Sequence, residues 1–204
     1  MKGNNFFWIS FADLMTSLFF LLLVLFGIST YITQKDINKL KEISKINKAT
    51  QNLDRDYFEY SSRYKRFKLK RQIEFKLRDY IIDIRDTSYL VQVGKGVEKK
   101  IKDLNNTADF KNRKVVYLII IEGMASNYVY KENFELSYKR ALSVYRLWKK
   151  SLSNQSILFK PEICEIQISG SGEDGIREFS GENEYKNQQI LIHIIPKYDF
   201  EDKK

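Results

Sequence analysis

Val115-Val116-Tyr117-Leu118-Ile119-Ile120-Ile121 is an unbroken apolar run, rich in β-branched residues and bounded by Lys114 and Gly123. A run of this kind reads as a central strand buried on both faces. Downstream, Phe134, Tyr138, Ala141, Tyr145 and Trp148 recur at helical spacing, so residues 133–152 read as a helix with one apolar stripe. Glu165-Ile166-Gln167-Ile168-Ser169 alternates and stops at Gly170. Gln189 to Ile195 is a last strand, ended by Pro196. Upstream, Val97 to Leu104 reads as a short helix, and Ile73, Phe75 and Leu77 alternate with polar residues as in a half-buried strand. The order is strand, helix, strand, helix, strand, loop, strand. It predicts an α/β sandwich over residues 70–197, with a mixed sheet covered on one face by helices and a tail over 198–204.

The N-terminal part is of another kind. The only charged side chain between Lys2 and Lys35 is Asp13. From Leu14 to Gln34 there is no charge, and at about 1.5 Å per residue that stretch spans the roughly 30 Å of a bilayer core. Residues 1–32 therefore read as one transmembrane helix, and the whole chain as α+β. A lone carboxylate about one turn inside such a helix marks a site for an ion or a proton. Thr16 and Ser17 lie within one turn of Asp13. They either help coordinate that ion or bond back to the helix backbone. The apolar run is too long for a cleaved leader's core, so cleavage is not expected.

Residues 33–69 join the two parts. Residues 33–67 of this stretch read as helix: they contain neither Pro nor Gly, and helix formers dominate. Ile46, Thr50, Leu53, Tyr57, Tyr60, Tyr64 and Phe67 are spaced four, three, four, three, four, three. That is the seam of two parallel helices, or of one amphipathic helix laid on its own domain; a homodimer is the expectation.

The net charge of +9 lies outside the membrane segment and suits an anionic partner. No nucleic-acid motif accompanies it, so direct nucleic-acid binding is not expected. The single cysteine, Cys164, and the single histidine, His193, provide neither a disulfide nor a metal cluster. No cofactor or catalytic function is expected: there is no nucleophile–base pair, and Gly170-Ser171-Gly172 is a turn without the lysine and helix start of a phosphate cradle.

Two segments carry a family resemblance. Trp8 to Leu25, with Ala12-Asp13-Leu14-Met15-Thr16, resembles the transmembrane helix of MotB-type stator subunits. Residues 70–197 are similar to the OmpA/MotB-like peptidoglycan-binding domain. Ile120-Ile121-Glu122-Gly123 stands where that family has Ile-Glu-Gly-His-Thr-Asp, and Asn133 to Val144 matches its Asn-x-x-Leu-Ser-x-x-Arg-Ala-x-x-Val helix. The resemblance implies a peptidoglycan site built from Asn133, Leu136, Arg140 and Ser126. Arg140 would grip a stem-peptide carboxylate with two prongs. There are departures: Met124-Ala125-Ser126 replaces His-Thr-Asp, and Asn187-Gln188-Gln189 replaces Asn-Arg-Arg. Wall binding is therefore expected to be weakened or altered in its preferred ligand.

The run Ala-Asp-Leu-Met-Thr-Ser-Leu-Phe-Phe, with only twelve residues before Asp13, looks more like the ZorB subunits of Zorya anti-phage defence systems than like flagellar subunits. The resemblance implies two copies of this chain within a ring of five MotA- or ZorA-like polytopic subunits. It places the chain in the bacterial inner membrane, with the N-terminus cytoplasmic and the C-terminal domain extracytoplasmic. The lysines after the span, Lys35, Lys39, Lys41, Lys45 and Lys48, taken alone favour the opposite orientation. A long domain translocates regardless of such charge, and the motifs decide.

Overall fold

The computed structural model describes residues 4–50, 55–64, 66–106, 115–126, 132–153 and 155–198. It divides into two compact units, Met1–Ile46 and Asn47–Lys204.

The first unit is carried by α1 (Asn4–Thr50). Phe7–Lys45 is long and apolar enough to cross a membrane, with a mean hydropathy of 2.3 in its best window. None of that window is buried within the chain, so its apolar surface is available to lipid or to other helices. Phe7, Trp8 and Phe11 form an aromatic cluster at its start, where amphipathic rings favour a membrane interface.

The second unit holds a five-stranded sheet in the order β1-β2-β5-β3-β4. The strands are β1 (Phe58–Ser61), β2 (Arg66–Leu69), β3 (Val115–Gly123), β4 (Cys164–Gly170) and β5 (Ile190–Tyr198). β3 runs parallel to β4 and antiparallel to β5, which makes the sheet mixed. α2 (Ile84–Asn106) and α3 (Asn133–Ser151) complete the unit. α3 packs on β3 and β4, and α2 packs on α3. Leu90, Val93, Val97 and Ile101 of α2, all fully buried, recur at helical spacing. They share the core with Tyr117, Ile119 and Ile121 of β3 and with Trp148 of α3. Trp148 Nε1 donates to the Leu90 carbonyl at 2.8 Å, which satisfies the indole and pins one helix to the other.

The α+β class, the mixed sheet and its helix-covered face agree with the sequence expectation. Several elements do not. The helix expected over 33–67 ends at Thr50, and a β1–β2 hairpin follows. Phe58 pairs with Leu69 and Tyr60 with Phe67, so the period-two pattern of these aromatics outweighs their heptad spacing. Tyr60, Tyr64 and Phe67 therefore cannot continue a helical dimer seam. The side chains of Ile46, Thr50 and Leu53 lie outside the described residues, as does the tail beyond Tyr198. Ile73 and Phe75 lie in an irregular segment and Leu77 in a turn, none of them paired with a strand among the described residues, and the helix expected over 97–104 is the C-terminal part of α2. β3 is paired on both edges, with β5 at the sheet's centre, but it buries one face and leaves the other half-exposed: its residues alternate strictly.

Two glycines set the depth at which α3 sits. A Cβ on Gly123 would fall 2.0 Å from the Ser137 carbonyl oxygen, and one on Gly170 2.5 Å from the Tyr138 nitrogen. The close approach is possible only where the sheet offers bare backbone. It turns Ser137, Arg140, Ala141, Val144 and Trp148 inward, while Phe134 and Tyr138 stay exposed. The buried stripe is thus rotated from the aromatic one expected, and Arg140 is on it.

Candidate functional site

The irregular segment 72–78 runs opposite the first two turns of α3 and the residues just after β3. Between them lies a cleft of about 580 Å³. Ser126, Asn133, Leu136 and Arg140 all line it, and so do Phe75, Tyr185 and Gln188. Four residues separated by up to fourteen positions in the chain converge on one concavity, because α3 begins beside the end of β3.

Arg140 is the electrostatic centre. It is 3% exposed. Its Nε donates to the Asp79 carbonyl at 3.0 Å and its Nη1 to Gln188 Oε1 at 3.2 Å. The guanidinium carbon sits 4.8 Å from the Phe75 ring centroid. Burial pulls the Arg140 pKa down to about 10, against the opposing charge of Asp79. No carboxylate is within ion-pair distance of it among the described residues. A buried cation held by neutral acceptors alone favours an incoming anion. Gln188 Nε2 donates onward to Ser126 Oγ at 2.8 Å, so Ser126, Gln188 and Arg140 form one polar chain along the wall. Asn133 Nδ2 is held by Glu173 Oε2 at 3.0 Å.

Sequence reasoning flagged 187–189 only as a departure from a pattern. Here Gln188 belongs to the site and Asn187 builds the loop behind it. Asn187 Oδ1 accepts from the Glu178 and Phe179 nitrogens, and its Nδ2 donates to the Phe179 carbonyl and Glu184 Oε2. Phe75 and the rest of the 72–78 wall carried no signal beyond alternation.

The membrane acid belongs to the first unit. Asp13 is exposed along α1. Thr16 Oγ1 donates to the Ala12 carbonyl at 2.7 Å and Ser17 Oγ to the Asp13 carbonyl at 2.9 Å. Both hydroxyls are turned to their own backbone, which is the second of the two roles weighed for them.

His193 pairs with Glu122 across β5 and β3, Nε2 to Oε2 at 2.6 Å, and Ser171 Oγ donates to the other Glu122 oxygen. Burial drives the Glu122 pKa up, but the His193 and Ser171 bonds together outweigh it and leave it below the ordinary carboxylate value. A carboxylate lowered on folding contributes stability above its unfolded pKa and loses it as pH falls through the folded one. Glu122→Gln is therefore expected to flatten the fall in urea midpoint between about pH 6 and about pH 3. A variant with the wild-type slope would place the acid sensitivity elsewhere. Burial also pushes the Cys164 thiol up to about 12, which leaves it inert as a nucleophile.

No protein-family model matches the chain. No curated protein matches it either. Among solved structures, it is similar to a periplasmic domain of Helicobacter pylori MotB, with 18% identity over 71% of this chain and 90% of that one, at a TM-score of 0.44. It is also similar to the peptidoglycan-associated lipoprotein of Burkholderia pseudomallei, with 15% identity over 63% and 91% and a TM-score of 0.37. An outer membrane protein of Borrelia burgdorferi is 20% identical over 71% and 96%, with a TM-score of 0.36.

Proposed function

We propose that this chain is the wall-anchored B-subunit of an ion-driven membrane motor that serves anti-phage defence. The reading rests on one observation above all: Ser126, Asn133, Leu136 and Arg140 meet in a single cleft around a buried guanidinium that has no carboxylate partner among the described residues. A stem-peptide carboxylate of peptidoglycan is the ligand that chemistry fits.

Asp13 is the ion carrier in this reading. Two copies of the chain present it to a surrounding ring of five MotA- or ZorA-like polytopic subunits. A proton or sodium ion arriving from outside neutralises the carboxylate, and release to the cytoplasm restores its charge. Each change alters how the group is best solvated, so the ring moves to satisfy it. The driving energy is about 2.3 kcal/mol per charge per 100 mV. The anchored domain is extracytoplasmic, α1 crosses the inner membrane, and its segment from Thr33 to Thr50 gates the path until the wall is engaged.

The test is a phage-plating assay on the native gene cluster, comparing wild type with Asp13→Asn. Wild type is expected to reduce plaque numbers and Asp13→Asn to lose that protection. Equal protection by both would remove the ion-carrying role. Loss of swimming with no change in phage resistance would reassign the motor to motility.

A further inference from the structure

A second concavity, of about 170 Å³, opens between β2 and the segment 179–190. Lys68, Lys70, Arg71 and Lys186 line it, with Glu59 as the only acid. Two of the cations are already paired: Lys68 with Glu178 at 3.2 Å, and Arg71 with Asp86. Lys70 and Lys186 are not. Lys70 Nζ donates to the Arg55 carbonyl at 3.3 Å, and Lys186 Nζ lies 5.8 Å from the Phe179 ring centroid. Neither has a carboxylate partner among the described residues. The pocket thus concentrates positive charge that no acid among the described residues neutralises.

A third feature narrows the ligand. Gln189 lines the same pocket, and its Oε1 is buried with no hydrogen-bond partner. An orphaned acceptor costs free energy unless a donor arrives. The complementary group is an anion with an N–H or O–H beside it. Gln72 and Ile73 line both this pocket and the large cleft, so one ligand can occupy both without leaving the surface.

We infer that this pocket is a second anion site, which takes a carboxylate or phosphate carried by the same wall polymer whose peptide enters the cleft. The inference rests on the wall-binding reading above. Lys70 and Lys186 hold the charge, and Gln189 accepts from the neighbouring amide or hydroxyl. Recognition by two separated anions tightens binding because the second contact is intramolecular once the first has formed.

The experiment sediments the full chain, purified in detergent, with isolated cell-wall sacculi. The sacculi are used intact or stripped of phosphodiester-linked polymers with hydrofluoric acid. The Lys70→Ala/Lys186→Ala variant is expected to bind about tenfold more weakly than wild type and to lose part of the salt dependence. Lys70→Arg/Lys186→Arg, which keeps the charge, should restore retention. A deficit seen on both kinds of sacculi assigns the anion to a stem carboxylate, and one seen only on intact sacculi assigns it to an attached phosphate polymer. If the double alanine variant binds like wild type while Arg140→Ala is lost, the second site is wrong and the cleft reading stands. If wild type itself is not retained, both fall.

Discussion

Replacing Gly123 by alanine is expected to push α3 off the sheet and cost more than about 3 kcal/mol, at or beyond the upper end of ordinary overpacking. The new methyl would lie 2.0 Å from the Ser137 carbonyl oxygen and 2.9 Å from its carbon. Both are backbone atoms, so no side-chain rotation relieves the clash. The neighbouring contact at Gly170, also against backbone, blocks a simple tilt of the helix. For a chain of this size the melting temperature should fall by roughly 6–12 °C. Gly96→Ala, within α2, is the control: the new methyl would lie 3.7 Å from the Phe58 and Tyr57 rings, and the helix-propensity gain of about 0.5–1 kcal/mol should raise stability. Thermal melts of both variants, followed by near-ultraviolet circular dichroism, decide it. Matching melts would mean that α3 does not sit as deep as described.

The second large effect is expected at Arg140, and it separates binding from folding. Arg140→Met keeps an apolar stem of similar length against Phe75 and removes the buried charge. Removing a charge from a dry site offsets part of the loss, but the Asp79 carbonyl and Gln188 Oε1 are left without their donor. Stability should therefore fall by about 1–3 kcal/mol, with the fold retained. Retention on sacculi should instead drop about 100-fold, the scale of losing one charge-assisted contact in a desolvated site. A variant that folds cooperatively and sediments with the wall as wild type does would remove Arg140 from the ligand site. Arg140→Lys should recover only part of the binding, because a point charge does not reproduce the planar fork.

Much of the second unit could be read before its structure. β3 announced itself by seven consecutive apolar residues, β4 by alternation that ends at Gly170, and β5 by an apolar run whose end was expected at Pro196 but lies at Tyr198, because Pro196 still faces Tyr117 in the ladder. Those signals are local, and local signals survive. The hairpin was hidden because Tyr57, Tyr60, Tyr64 and Phe67 satisfy a heptad as well as a strand. What selects the strand is pairing of β2 with β5, more than 120 residues away. The orientation of Arg140 was hidden for a related reason. An arginine in a helical repeat reads as solvated, and only the depth allowed by Gly123 and Gly170 turns it inward. The cleft's other wall, residues 72–78, forms no regular element, so periodicity could not reveal it.

The ladders of the sheet are unequal. β5 holds β3 in register from Val115↔Tyr198 to Gly123↔Ile190, but it meets β2 only at Phe67↔Ile192 and Lys68↔Leu191. The hairpin is also the first part of the sheet reached along the chain from α1. Force applied from the α1 side would therefore load the weakest ladder first, peeling the hairpin while β3, β4 and β5 stay zipped.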